Sequence, residues 1–391
     1  MRAFPTSRVA LAHHWLVTMR GGERVLEALA QLFPSADIFT LVCNYARMQS
    51  AFGGHHIHTS FLQRLPRATR SYPRYLPLFP MATRRLDLRG YPLVITSDAA
   101  TMKGVRTDPG AIHICYCHTP MRYVWSGYET YFRAAGPLTR LLMPPVAAWL
   151  RRWDYRAAHK VTYFVANSQT VADRIRLYYR RESTVIYPPV DTDYFTPAPL
   201  CEKREDFFLA VSQLVPYKRI DLAIEAFNRN GRQLVVIGEG PERDKLERRA
   251  RPNIRFLGAQ PRATLRQAKQ RARALVFPGE EDFGIVMAEA ESCGTPVIAF
   301  GRGGASEIVT DGATGILFPQ QTAASLEAGL KRFDVEGFDS AAIRESALRF
   351  SRERFMREFA ELAARVTGTE RDVQTQSVES GQEVLPAGST L

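Results

Sequence analysis

Three scarcities narrow this 391-residue sequence before any motif is read. No run approaches the ~20 uninterrupted apolar residues that carry a helix across a bilayer, so no spanning segment is expected. The amino terminus does not read as a secretory signal, because Arg8 interrupts a very short apolar stretch. Cysteines number only five, odd and scattered, which argues against a disulfide framework and for a reducing cytoplasm. Cys115 and Cys117 lie two apart on an expected strand and face one side. No further ligands follow at metal spacing, so they read as core. Asp191 and Asp193 form an Asp-x-Asp, but they follow Pro188 and Pro189 at a domain exit and read as a turn. Neither metal nor cofactor is expected.

Acidic residues are thin in one half only. Residues 1–200 carry 25 Lys or Arg against 12 Asp or Glu, and residues 201–391 carry 27 against 28, so the whole +12 excess lies in the first half. All four tryptophans, Trp15, Trp125, Trp149 and Trp153, lie there too. Residues 60–88 mix Arg64, Arg67, Arg70, Arg74, Arg84 and Arg85 with Phe61, Leu65, Tyr72, Tyr75, Leu78 and Phe79. Residues 138–156 couple Leu141, Leu142, Met143 and Trp149 to Arg151, Arg152 and Arg156. Such mixtures suit an anionic membrane surface, or else a basic solvated face over an apolar core side. Nucleic acid is not the expected partner, since no recognition helix or RNA-binding motif appears and the charge forms no compact stripe.

What is present is an alternation of short apolar runs with helical segments, which predicts an α/β fold with parallel sheets. The length suits two domains. We place the first at 1–193 and the second at 194–366, with the last helix reaching back to the first. The linker is expected at 191–206. From 367 to 391 the chain is polar and aperiodic and is expected to be a disordered tail.

The most informative stretch is 280–296, EEDFGIVMAEAESCGTP. An apolar run at 274–278 precedes it, a helix is expected over 285–293, and Gly294 with Pro296 closes that helix. A loop between a strand's carboxyl end and a helix is where an open α/β sheet binds its ligand. The amides near Gly284 and Ile285 are a natural seat for phosphate. Glu281 and Glu289, seven residues intervening, suit hydrogen bonds from sugar hydroxyls; by themselves they equally fit an acidic helix start. Upstream, the strand 207–211 runs into SQLVPYKR, where Lys218 and Arg219 are placed to neutralise a diphosphate. Gly238 and Gly240 follow the strand 234–237 as Gly-x-Gly, a weak sign by itself.

In the first half, a strand at 9–12 leads through a loop to Gly21 and Gly22 at a helix start, where glycine permits close approach and leaves amides free. A strand at 112–117 runs into HTPMRYVW. His118 and Arg122 there have the location of active-site residues, though a satisfied structural histidine is the plainer reading of His118 alone.

Together these motifs resemble glycosyltransferase family 4, over roughly residues 8–365. The resemblance implies a GT-B architecture of two Rossmann-like domains facing across a cleft, and transfer that retains anomeric configuration. It implies that Glu281 faces the donor sugar, Glu289 holds ribose hydroxyls, and Lys218 binds the diphosphate. Phe283, Gly284 and Ile285 match the loop whose amides approach sugar and phosphates, and His118 lines the cleft. The sequence departs from the family where Gly-Arg-Leu is usual: it has Ser212, Gln213 and Leu214, so the usual phosphate arginine is Gln213. Arg219 is then the candidate for the missing charge. The residues look most like bacterial mannosyltransferases of O-antigen or exopolysaccharide synthesis. That likeness implies GDP-mannose, a polyprenyl-diphosphate-linked saccharide acceptor, and a cytoplasmic protein peripheral on the inner membrane face. A UDP-sugar donor, a non-catalytic nucleotide-sugar-binding subunit and an epimerase of similar fold stay open.

Overall fold

The computed structural model describes residues 8–199 and 204–368. Residues 200–203 of the expected linker, with Cys201, and the expected tail from 369 onward lie outside the described residues.

Two parallel sheets account for the apolar runs. The first holds β1 (Val9–His13), β2 (Asp37–Thr40), β3 (Ile57–Thr59), β4 (Leu93–Asp98), β5 (Ile112–Cys117), β6 (Tyr163–Ala166) and β7 (Ser183–Val185), in spatial order β3-β2-β1-β4-β5-β6-β7. The second holds β8 (Phe208–Val211), β9 (Leu234–Ile237), β10 (Ile254–Gly258), β11 (Ala274–Phe277), β12 (Val297–Phe300) and β13 (Gly315–Phe318), in order β10-β9-β8-β11-β12-β13. Helices cover both faces, so a strand such as β1 is buried along its whole length and needs no polar alternation. Its side chains still divide by the period of two. Val9 and Leu11 pack with Val25 and Leu26 of the helix Gly21–Leu32, whereas Ala10 and Ala12 pack on the opposite face with Phe39 and Val94.

The strand order of each sheet reverses at one place, between β1 and β4 in the first and between β8 and β11 in the second. At a reversal the following loops diverge to opposite faces and leave a crevice at the carboxyl ends of the strands. Of the loops at these reversals, those after β1, β8 and β11 are singled out by the sequence, as is the loop after β5, one strand further along. The chain returns at its end: Phe355, Phe359 and Leu362 of the helix Arg352–Thr367 insert into the core of the first sheet. Beside that crossing, the Val190 amide donates to the Phe350 carbonyl at 2.9 Å.

The two basic, apolar stretches behave differently. In 60–88, Phe61, Leu65, Tyr72, Tyr75 and Phe79 pack against the core behind the first sheet, with Trp15 on Tyr72 and Phe79. Most of its apolar side is therefore interior. In the helix Pro137–Ala158, Leu141 is 73% exposed, Leu142 54% and Trp149 51%. No described helix is long and apolar enough to cross a membrane. Cys115 and Cys117 are free and buried in a cluster with Phe164 and Tyr179. Asp191 closes a turn, accepting from the Tyr194 amide at 3.2 Å, and also pairs with Arg262.

Candidate active site

On the amino-terminal side, the ends of β1, β4 and β5 carry a polar chain that runs from the buried His13 and Ser97 to the half-buried His118. His13 Nδ1 lies 3.0 Å from Ser97 Oγ, which lies 2.7 Å from His118 Nε2. Beyond His13, Glu23 stands 3.8 Å from Nε2 and accepts the Arg20 amide at 3.0 Å, tying the start of the helix Gly21–Leu32 to the chain. Gly22 is part of this packing: a Cβ there would sit 3.2 Å from His13 and 3.6 Å from His118. Burial, reinforced by the neighbouring His13, holds the His118 pKa down at about 4, so its imidazole is neutral at physiological pH. It can hydrogen-bond a hydroxyl without adding charge.

A buried ion triad braces the floor. Lys103 Nζ lies 2.8 Å from Asp98 and 2.6 Å from Asp154, all three fully buried. Asp98 also accepts the amides of Ala100 and Met102, and Asp154 accepts from Trp125 and Tyr179. Because the Asp98 carbonyl accepts the His118 amide at 2.8 Å, the triad fixes the backbone that carries His118.

On the carboxyl-terminal side, Lys218 and Glu281 form an ion pair, each about one-sixth exposed. The short turn Pro216–Lys218 delivers the lysine, and the loop after β11 delivers the glutamate. That loop is held open by a backbone bond from the Gly304 amide to the Glu281 carbonyl at 2.8 Å. Gly284 takes a left-handed conformation (φ 91°) and opens the helix Ile285–Ser292, whose first turn has no side-chain cap. Ile285 approaches Gly21, 3.9 Å from where a Cβ would stand on it. The Phe283 ring is buried between Tyr187 and Phe350, so its side chain is core and only its backbone faces the loop. Gly238 and Gly240 have a packing reason of their own: Cβ atoms there would fall 1.7 Å from the Ser212 carbonyl oxygen and 2.3 Å from that of Leu214.

Several contacts across the cleft carry residues that the sequence reading passed over. Arg122 donates to Asp282 at 2.7 Å and its guanidinium lies 4.9 Å from the Tyr217 ring. Arg174 pairs with Asp282 and, at 3.2 Å, with Glu280. Glu307 caps the helix Gln169–Tyr179 from the other domain, accepting the amides of Gln169 at 2.7 Å and Thr170 at 3.0 Å. Glu289 is paired at 2.5 Å with the fully buried Lys269. Nothing in the basic helix Arg262–Arg271 distinguished that lysine; only its burial does.

The Gln213 position is filled in an unforeseen way. With its amide oriented by its partners, Gln213 Oε1 accepts from Arg20 at 3.0 and 3.2 Å. Arg20 comes from the other domain, one residue before Gly21. Arg219 instead adopts a left-handed conformation (φ 53°) at the start of the helix Ile220–Asn230 and pairs with Asp221 at 3.1 and 3.2 Å. The cation that contacts the family's arginine position is thus Arg20.

Two facing doubly wound sheets with such a cleft define a GT-B protein. Residues 19–194 match the family described as Glycosyltransferase Family 4, and residues 195–345 match Glycosyl transferases group 1. The two halves of the chain thus match two glycosyltransferase family models, on a fold of GT-B type. Among curated proteins, D-inositol 3-phosphate glycosyltransferase of Mycobacteroides abscessus is 28% identical over 209 residues, 47% of either chain. That of Actinosynnema mirum is 32% identical over 184 residues, 39% of this chain and 44% of its own. The matches thus span about half the length of these relatives. Among solved structures, Anabaena Alr3699/HepE in complex with UDP superposes with a TM-score of 0.67 at 16% identity, covering 91% of this chain and 99% of that one. The lipopolysaccharide outer core galactosyltransferase WaaB superposes with 0.63 at 16% identity, covering 90% and 98%. At that identity the likeness is one of fold.

Proposed function

We propose that the cleft transfers a hexosyl group from a nucleoside diphosphate sugar to a saccharide carried by a lipid, with retention of configuration. The observation that carries this is the Lys218–Glu281 pair just before the helix Ile285–Ser292, whose Ile285 approaches Gly21, next to the Gly22 that packs on His118. As the glycosidic bond to the diphosphate breaks, negative charge grows on the leaving group. Lys218, the amides at Gly284 and Ile285, and Arg20 beside Gln213 are fixed positive groups that stabilise it as it forms. Glu281, released from Lys218 by the entering phosphate, accepts sugar hydroxyls. Glu289 is oriented for the ribose by Lys269. His118 bonds the donor sugar, and Arg122 lies on the acceptor side. The acceptor hydroxyl attacks from the face the diphosphate leaves, and its proton passes to the departing phosphate oxygen. Glu307 and Asp282 hold the two domains together, which limits the access of water to the donor.

A uridine donor is the first choice. One structural relative, Anabaena Alr3699/HepE, is seen both with UDP and with UDP-glucose, whereas GDP-mannose rests on motif likeness alone. The basic first domain suits an acceptor that carries its own phosphates at an anionic membrane surface. The test incubates purified protein with labelled UDP-hexoses and GDP-mannose and a bacterial lipid extract. Label passing from a UDP-hexose to lipid, and lost in Glu281→Ala, is the expected result. Transfer from GDP-mannose alone reverses the choice of donor. Tight donor binding with no transfer to any acceptor, soluble or lipid, would make the chain a donor-binding subunit.

A further inference from the structure

A cavity of about 830 Å³ opens on the first domain and shares no residue with the cleft. Four of its lining cations, Arg84, Arg152, Arg156 and Lys160, have no carboxylate partner among the described residues, while Arg89 is paired with Asp87 and Arg106 is within electrostatic reach of the same carboxylate. No acidic side chain lines the cavity. Converging like charges repel one another unless a counter-charge sits among them. The floor is Trp153, whose ring is wedged against Gly104 so closely that a Cβ there would stand 2.5 Å from it. The other wall includes the exposed Trp149.

Two features give the cavity a direction. It lies where the two basic stretches of the sequence converge, Arg84 from the first and Trp149, Arg152, Trp153 and Arg156 from the second. The exposed side chains Leu141, Leu142 and Val146, one to two turns before Trp149 on the helix Pro137–Ala158, extend from it along the surface. Apolar stripe, interfacial tryptophan and cationic hollow follow one another in the order of acyl chain, glycerol and phosphate.

We propose that this cavity binds the phosphodiester headgroup of an anionic phospholipid and so seats the first domain on a bilayer. Guanidinium groups suit the oxygens of a phosphodiester, and the +13 excess of residues 1–200 complements the charge of such a surface. The inference deepens the reading of a lipid-carried acceptor, because a headgroup seat would hold the protein where that acceptor lies.

The experiment is co-sedimentation of the full chain with vesicles of phosphatidylcholine alone, and of equimolar phosphatidylcholine and phosphatidylglycerol. The expected result is binding to the anionic vesicles only, weakened roughly thirtyfold in Arg106→Ala/Arg156→Ala. An equal charge loss in the second domain, Arg248→Ala/Arg249→Ala, is expected to leave it nearly unchanged. Equal losses in the two variants would show diffuse attraction and overturn the cavity. Displacement by millimolar glycerol 3-phosphate would make it a site for soluble phosphoesters and overturn the membrane seat. No binding of the unmodified protein to anionic vesicles would remove both the seat and the surface reading. UDP affinity and the thermal transition, measured on each variant, are expected to stay unchanged, which separates failure of the seat from failure of the cleft or of folding.

Discussion

Arg20 of the first domain donates to Gln213 of the second, at 3.0 and 3.2 Å, where the family pattern has an arginine. The cation has moved across the cleft. It reaches this position only where the domains face each other, so in the proposed reaction the charge at the diphosphate is tied to domain closure.

Arg20→Ala is therefore expected to weaken UDP binding by roughly tenfold, the size of one charge-assisted hydrogen bond. Arg20→Ala/Gln213→Arg should recover much of that loss. Arg219→Ala should change it little, since Arg219 is held by Asp221. Calorimetric titration with UDP decides between them, and a loss confined to Arg219→Ala would return the role to that residue.

Lys218→Ala removes a fixed positive group from beside the leaving diphosphate. A fall of about 10²–10³ in kcat is expected, with a smaller change in KM. Removal also leaves Glu281 without its partner. Lys218→Ala/Glu281→Gln should therefore fold more stably than Lys218→Ala while staying as inactive, which thermal melting beside single-turnover rates will check.

Protonation sets the pH window. Burial lowers the pKa of His113 and His118 to about 4, below their unfolded value near 6.5. The unfolded chain then binds more protons between those limits, so stability falls as pH drops from 6.5 toward 4, by about 1.4 kcal/mol per unit for each histidine. Glu291 works the other way. Burial raises its pKa to about 8, so its neutral form is favoured in the fold, and stability falls as pH rises from about 4.5 to 8. Glu291→Gln, which keeps the bond from Thr314, should flatten the melting temperature between pH 6 and 8. A transferase pH profile with a limb near 6.5 that disappears in His118→Asn would contradict the neutral imidazole.

Lys103→Met strands two buried carboxylates beneath the cleft. A loss of about 3–5 kcal/mol in unfolding free energy is expected, against little change for Lys160→Met at the surface. Chemical denaturation measures both. Equal effects would mean that the triad does not hold the ends of β4 and β5.

Much of the fold was legible from composition alone. Continuous apolar runs such as 9–12, 234–237 and 297–300 coincide with strands, because a sheet covered on both faces needs no alternation. Three strands, β2, β3 and β13, are not picked out by the same reasoning; β2 begins with Asp37, and β3 is Ile-His-Thr, too short and too polar to stand out. Residues 60–88 showed the opposite fault. Arginines among aromatics look alike whether the rings face lipid or a sheet, and here most face the sheet.

By itself the sequence determined which segments are strands, which loops carry Glu281, Lys218 and His118, and where positive charge accumulates. These are local properties, fixed by side-chain periodicity and by the chemistry of neighbours along the chain. The tertiary structure alone decided who meets whom: Arg20 with Gln213, Lys269 with Glu289, Glu307 with the start of a helix 138 residues upstream, and two distant basic stretches around one cavity. Such pairings depend on where each sheet reverses its strand order and how the domains face, and sequence separation carries no record of either.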